Sequence, residues 1–386
     1  MTLTLSYEQA AFFRARRSGL VDPLPDLATT ARQILGAQAQ IEAPARWALA
    51  LRTAGHPDVT AVQRALLEDR SIVRAWGQRD TVHIYHPADW VLIATAQASW
   101  PRSARTGSMP VEAEIADFVS AIDKLGHSFT RTDVLGIVPG RLVDAFAKAP
   151  VNDDPPERMA ATRLIWKAGT LGFLCTTEQR GREQAYAART WWLPRLAWPT
   201  MEPEAAAIVL ARRYLATWGP ATVHDLAHYF GANVSTARTW VAALEGELTP
   251  VTIPGPGVDF VNAWALSVDR DELVVEPPTE SSGLLAAWPA RLLPAYDTQM
   301  MTHANKDFVV PDPALRPKVW AKAATVNATV LHRGRFVGTW KHKVRAKAVD
   351  LELAPLGPGH RLPAPHQLVD RLRFERHVGV SSKAAL

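Results

Sequence analysis

Residues 202–267 constrain the fold more than any other stretch of this chain. An apolar-periodic run from Glu202 to Trp218 is broken by Gly219-Pro220. Thr222 then stands where a helix cap belongs, ahead of a short helix to Phe230. Gly231 turns the chain, and Ser235 caps a second helix through Glu245. Hydroxyl caps start helices, while glycine and proline stop them. The following Thr249–Ser267 reads as a hairpin interrupted by Pro254-Gly255-Pro256-Gly257. Helix, tight turn, helix and hairpin, in that order, describe a helix-turn-helix with a β-wing.

The same order precedes it twice. Ser6 and Gln9, in capping-box spacing, open a helix to residue 17. Further helices are expected over Pro25–Leu35, stopped by Gly36, over Ala45–Arg52, and over Ala61–Asp69 behind Thr60. Ser71–Trp76 and Thr81–His86 then alternate as a hairpin around Gly77-Gln78. In the next unit a helix is expected over 110–125, Thr130 and Pro139 open two shorter ones, and Pro156–Gly169 forms another. Leu171–Thr176 and Gln184–Trp191 pair around Gly181-Arg182. After the Pro- and Ser-rich Glu276–Gly283 the pattern turns to strands: Arg291–Tyr296, Thr325–His332, Arg335–Lys341 and Ala348–Ala354, with a turn at Arg333-Gly334 and a closing helix over Pro365–Arg376. The expected fold is α+β, with three tandem winged-helix units (1–105, 106–200, 201–275) and a C-terminal β-rich basic domain (284–386).

The 386 residues allow two to four domains at roughly 100–200 residues each. Hydrophobic residues at 47% and charged residues at 21% fit a globular protein. No apolar run reaches the roughly 20 residues of a membrane span, and the N-terminus lacks a signal-peptide pattern, so a cytoplasmic protein is expected. The single cysteine, Cys175, cannot form an internal disulfide and reads as a small buried residue. Net charge is +5, but residues 283–386 carry +9 and residues 1–282 carry −4. Such a basic end suits either a polyanion or a solvated surface.

Two glutamines one residue apart, Gln38 and Gln40, follow the second expected helix. Their neutral amides donate and accept hydrogen bonds on nearly one side of a turn. That suits positioning a water rather than deprotonating it. Forty residues later comes the block Arg74-Ala75-Trp76-Gly77-Gln78-Arg79-Asp80-Thr81-Val82-His83. Toward the C-terminus stand Arg291-Leu292-Leu293-Pro294-Ala295-Tyr296-Asp297 and Arg333-Gly334-Arg335-Phe336-Val337-Gly338-Thr339-Trp340. In combination and order these blocks resemble the AlkZ/YcaQ-like winged-helix DNA glycosylases, in the Gln-x-Gln form. The resemblance implies monofunctional excision of N7-alkylated purines, unhooking of interstrand crosslinks in some members, and a catalytic Gln38/Gln40 pair. It implies double-stranded DNA with alkylated bases as partner. Trp76, Arg79, Thr81, His83 and Asp297 become pocket or hairpin candidates. Position 80 is Asp where the family's hairpin has Gly.

Other residues carry weaker signals. Arg74, Arg333, Arg335, Lys341, Lys343, Arg345 and Lys347 are candidates for phosphate contact, the last four alternating along one strand face. Lysines also guard exposed strand edges. His224 and His228 have an i, i+4 metal-like spacing without a third ligand, so neither a metal nor another cofactor is expected. No Gly-Lys-Ser/Thr phosphate loop and no obvious carboxylate cluster for nuclease metals stand out. The main rival reading is a non-catalytic winged-helix DNA-binding protein or transcriptional regulator, because such folds serve both uses. Three tandem units in one chain favour a monomeric enzyme.

Overall fold

The computed structural model describes residues 2–100, 112–255, 259–279, 288–344, 348–363, 368 and 379–384. Arg345, Lys347, Pro256-Gly257 and, apart from Leu368, the helix expected over Pro365–Arg376 lie outside the described residues. The chain folds into helices packed around three β-sheets.

Local chemistry sets the helix ends, and it moves several of them. Ser6 and Gln9 form the expected capping box, Gln9 N donating to Ser6 Oγ at 3.0 Å, on a helix over Tyr7–Arg17. The second helix covers only Leu27–Gln33: Pro25 lies outside it, and Asp26 is its cap, accepting from Thr29 N at 2.7 Å. Asp58, not Thr60, caps Val59–Leu67 by accepting from Ala61 N at 2.8 Å. Thr222 and Asp225 make a reciprocal box on Val223–Phe230, and the next helix, Val234–Ala243, begins one residue before Ser235. Pro87–Ala96 is a helix that sequence reading passed over. It is apolar on nearly every side, so it shows no 3.6-residue periodicity, and burial explains why.

The sheets join segments that look separate in sequence. One sheet has six strands in the order Ala37–Gln38, Val82–Tyr85, Val73–Trp76, Leu174–Arg180, Glu183–Ala188, Phe129–Thr130. The two expected hairpins thus meet edge to edge, bridged at Arg74–Thr176, with Thr176 Oγ1 donating to Arg74 O at 3.0 Å. Pairing the open edges of two short hairpins removes exposed backbone groups that neither could satisfy alone. A second sheet pairs Leu3–Thr4 in parallel with Leu248–Ile253, which pairs in turn with Phe260–Leu266. The third has five strands: Arg291–Leu293, Thr329–His332, Arg335–Val344, Ala348–Pro355 and Gly379–Ala384, the last parallel and not expected.

The largest hydrophobic core runs from Ala15 to Leu368 and includes Trp47, Trp90, Trp218, Phe230, Trp240 and Trp340. It therefore crosses the expected unit boundaries. Inside it lies a charge pair: Arg52 Nη1 and Nη2 donate to the two carboxylate oxygens of Asp297, each at 2.7 Å, with both side chains fully buried. Asp297 also caps the Thr298–Met301 helix through Gln299 N at 2.9 Å, and Arg52 Nη1 reaches Ala48 O at 2.9 Å. The pair ties the C-terminal sheet to the end of the Glu42–Ala50 helix. Removing one member leaves the other charge buried and unpaired, which costs about 3–5 kcal/mol. Asp297→Ala should lower unfolding free energy by that amount in denaturant titration, and Arg52→Met with Asp297→Leu should recover much of it. A loss below about 1 kcal/mol, as for a surface pair, would refute the assignment.

Candidate active site

The backbone from Ile34 to Gln40 is irregular, and that sets where the two glutamines sit. Leu35 and Gly36 both adopt left-handed φ, 57° and 93°, so the chain turns sharply out of the Leu27–Gln33 helix. Gln38 is not on a helix end, as expected, but on an edge strand whose pairing sets Gln38 opposite His83. The reason is Tyr85. A Cβ on Gly36 would lie 2.4 Å from its ring, and one on Gly77 would lie 1.9 Å from its hydroxyl. Only these two glycines let the phenol ring fill the gap between motif and hairpin. Its hydroxyl donates to Gln78 Oε1, and Gln78 Nε2 donates to Leu35 O at 3.3 Å.

Elements far apart in the chain supply donors to this segment. Tyr229 Oη donates to Ile34 O and Leu35 O at 3.1 and 3.2 Å, and Thr298 Oγ1 to Gly36 O at 3.3 Å. Arg74 Nε and Nη2 both donate to Ala39 O, at 3.1 and 3.0 Å. Ala39 is the residue between the glutamines, so this guanidinium clamps the motif. Arg74 is itself held by Gln184 Oε1 at 2.6 Å and by Glu42 at 3.7 Å. Its expected phosphate role gives way to an internal one.

The hairpin orients both amides. Gln38 Oε1 accepts from Arg79 Nη2 at 3.0 Å, and Gln40 Oε1 accepts from Val82 N at 2.8 Å. Each carbonyl oxygen keeps a second lone pair, and each amide keeps its N–H donors. Gln38 is half-buried and Gln40 exposed, so an incoming group can reach both. Arg79 Nη1 donates to Tyr229 O at the C-terminal end of Val223–Phe230, where the helix dipole favours a cation. Burial lowers the Arg79 pKa, yet a guanidinium stays charged. Beside Gln38 that charge polarises the amide, strengthening its N–H as a donor.

Arg79 and Asp80 both take left-handed φ, 58° and 56°. Glycine would hold position 80 without strain, and Asp is among the few other residues that tolerate it. An Asp at this position therefore fits a backbone shape that a Gly would also take. Thr81 Oγ1 donates to Gln78 O at 3.1 Å, bracing the same turn. His83 is buried: Nδ1 lies 3.1 Å from Thr81 O, Nε2 lies 3.4 Å from Arg79 Nη2, and its ring stacks on Tyr85 at 5.3 Å. Donation to Thr81 O and acceptance from Arg79 describe a neutral ring. Desolvation first, and the Arg79 charge second, push its pKa well below 6.5. It orients rather than exchanges protons.

The remaining candidates fall outside this constellation. Trp76 lies half-exposed on the other hairpin strand, stacked with Tyr186 at 5.8 Å. Asp297 is buried with Arg52, so it lines no pocket; its neighbour Thr298 is what touches the motif. Arg333 pairs with Glu8 at 2.7 Å and donates to Pro278 O at 2.8 Å; Arg335 donates to Phe308 O at 2.9 Å and covers Tyr7. Both stitch the sheet to the N-terminal helix. Lys341 and Lys343 are exposed, but their cross-strand partners are Glu352 and Asp350. Among the described residues no group of three or more His, Cys, Asp or Glu could hold a metal; His224 is exposed, and His228 is half-buried on the same helix. Sequence reading missed Arg52, Gln78, Tyr85, Gln184 and Tyr229; Gly36 and Gly77 were the signal for the close approach of Tyr85.

Three histidines are held toward the neutral form, His83 buried and His228 and His303 half-buried. Burial, as the largest cause for each, lowers His83 well below 6.5, His228 to about 4 and His303 to about 3. A folded pKa below the unfolded one means that the unfolded chain binds more protons as pH falls through 6.5. Stability should therefore decline from 6.5 downward, each histidine adding a slope of up to about 1.4 kcal/mol per pH unit until its folded pKa is reached. Denaturant titrations across this range test it, and replacing His228 with Gln should flatten the slope between 6.5 and about 4. An unchanged slope would mean that His228 is protonated in the folded protein.

Residues 31–376 match the family model for the AlkZ-like DNA glycosylases. The chain is 27% identical over 402 aligned positions, covering 97% of each protein, to an interstrand DNA cross-link repair glycosylase of Streptomyces sahachiroi. Its fold resembles the solved Streptomyces sahachiroi DNA glycosylase AlkZ with a TM-score of 0.76, at 22% identity, over 99% of this chain and 100% of that one. No helix among the described residues is long and apolar enough to cross a membrane. A match over most of the chain establishes that this protein belongs to the AlkZ-like DNA glycosylase family.

Proposed function

We propose that this protein is a monofunctional DNA glycosylase that excises N7-alkylated purines from double-stranded DNA. In this reading it acts as a monomer of three winged-helix units with a C-terminal β-rich domain. The observation that carries the reading is the double anchoring of Gln38 and Gln40 by Arg79 and Val82 N. Alkylation at N7 gives the guanine a positive charge, so the base departs as a neutral molecule and the glycosidic bond is already weak. What remains for the enzyme is to steady an oxocarbenium-like sugar and to aim one water at C1′. Fixed amide oxygens supply position and partial negative charge for both tasks without accepting a proton. Because each amide is ordered before substrate arrives, little reorganisation is needed at the moment of reaction.

Gln38→Ala and Gln40→Ala should each leave the fold intact and lower single-turnover excision of N7-methylguanine by about one to three orders of magnitude. Arg74→Ala should lower the same rate while leaving DNA affinity near the parental value, because the guanidinium holds Ala39 rather than a phosphate. Parental rates in both glutamine variants would remove them from the chemistry. A parental protein that binds DNA but releases no base would favour a regulator.

Amide-directed water attack requires neither a metal nor a lysine Schiff base. Excision should therefore be equal with and without EDTA. The product should be an abasic site that breaks only after alkali, and borohydride should trap no protein–DNA adduct. A trapped adduct would point to Lys306, whose amine burial pushes down to about 8. Loss of activity in EDTA would point to His224 and His228.

A further inference from the structure

Outside the glutamine site, the sheet face bearing Trp76 opens a pocket of about 290 Å³ between the first hairpin, the Pro156–Thr170 helix and the Glu183–Ala188 strand. Trp76, Trp166 and Tyr186 form aromatic walls, while Arg131, Arg182 and Gln184 supply polar groups. All three rings are half-exposed. Trp76 and Tyr186 lie nearly parallel, 23° apart with centroids at 5.8 Å, so together they present flat π surface. Trp76 takes this position because residue 169 is glycine: a Cβ there would lie 2.2 Å from the Trp76 ring.

The charge around the pocket has one sign left over. Arg131 pairs with Asp154 at 3.2 Å, and Glu183 is shared by Arg158 at 3.5 Å and Arg131 at 4.0 Å. Arg182 is exposed and has no ion-pair partner among the described residues. Flat aromatic walls beside an unpaired arginine suit a nucleobase carried on an anionic backbone. The pocket is also wired to the motif. Gln184, on its wall, accepts from Arg74 at 2.6 Å, and the same guanidinium clamps Ala39 O between the two glutamines. Motif and pocket therefore lie at opposite ends of a single arginine head group.

We propose that this pocket binds an unpaired nucleobase of the strand that runs past the glutamines, stacking it on Trp76, Trp166 and Tyr186 with its phosphate toward Arg182. The inference rests on the DNA-binding part of the proposed function and adds a second contact site to it. The Gln184–Arg74–Ala39 chain of hydrogen bonds fixes the spacing between that pocket and the motif.

The test uses the full chain with short undamaged oligothymidylate and the same backbone carrying abasic spacers, affinities read by anisotropy. Stacking should make the parental protein prefer the base-bearing strand by about five- to a hundredfold. Trp166→Ala and Tyr186→Leu should reduce that preference toward unity, while Tyr186→Phe, which keeps the ring, should retain it. Gly169→Ala, by displacing Trp76, should act like the ring deletions. Thermal midpoints identify any variant that fails to fold, and Trp166→Ala, at a half-exposed position, is the one least exposed to that risk. No preference in the parental protein, or a preference unchanged in Trp166→Ala and Tyr186→Leu, would overturn the proposal. Excision of N7-methylguanine, run in parallel, separates the two readings. Base stacking without excision would sink the glycosylase assignment and leave the pocket standing. Excision with a preference indifferent to Trp166 and Tyr186 would sink the pocket alone.

Discussion

A stretch of irregular backbone cannot be buried unless its polar groups find partners elsewhere, and Ile34–Gln40 is such a stretch. The carbonyls of Ile34, Leu35, Gly36 and Ala39 are taken by Tyr229, Gln78, Thr298 and Arg74, which come from elements far apart in sequence. The Val223–Phe230 helix, the first hairpin and the Thr298–Met301 helix must all be docked before this segment is satisfied. The site is thus a product of the whole assembly. A local change in any of these four donors reaches the glutamines through one hydrogen bond.

The electrostatics follow from the same enclosure. Gln38 sits beside a buried guanidinium and a neutral histidine, so no group next to it is ready to take up a proton near neutral pH. A water bound there would be oriented rather than ionised, which is why the proposed substrates are N7-alkylated purines, whose glycosidic bonds break easily once a nucleophile is in place. The C-terminal excess of basic residues contributes less free charge than its count suggests. Arg333 and Arg335 are engaged inside the molecule, and Lys341 and Lys343 face acidic partners across the strand pair.

Much of the secondary structure was legible because it rests on local rules. The capping box at Ser6, the stop at Gly231 and the hairpin around Gly77-Gln78 are short-range devices, and they stand within a few residues of where composition places them. Pro87–Ala96 was not legible, since a helix buried on all sides loses the periodic contrast that reveals one. Arg74 was misread for a related reason: a lone arginine on a strand looks the same whether its guanidinium meets a phosphate or a carbonyl.

By itself, then, the amino-acid sequence determined the order of helices and hairpins, the Gln-x-Gln pair and the blocks that mark the family, all of which depend on residues close together in the chain. Only the tertiary structure decided that two hairpins merge into one sheet, that Asp297 pairs with Arg52 instead of lining a pocket, and that Arg74, Arg79 and Tyr229 converge on the motif. Those outcomes depend on satisfying buried charges and backbone groups across up to 245 residues of separation. Such long-range pairing leaves no periodic or short-range trace in the chain, because any of several donors could meet the same need and packing alone selects among them.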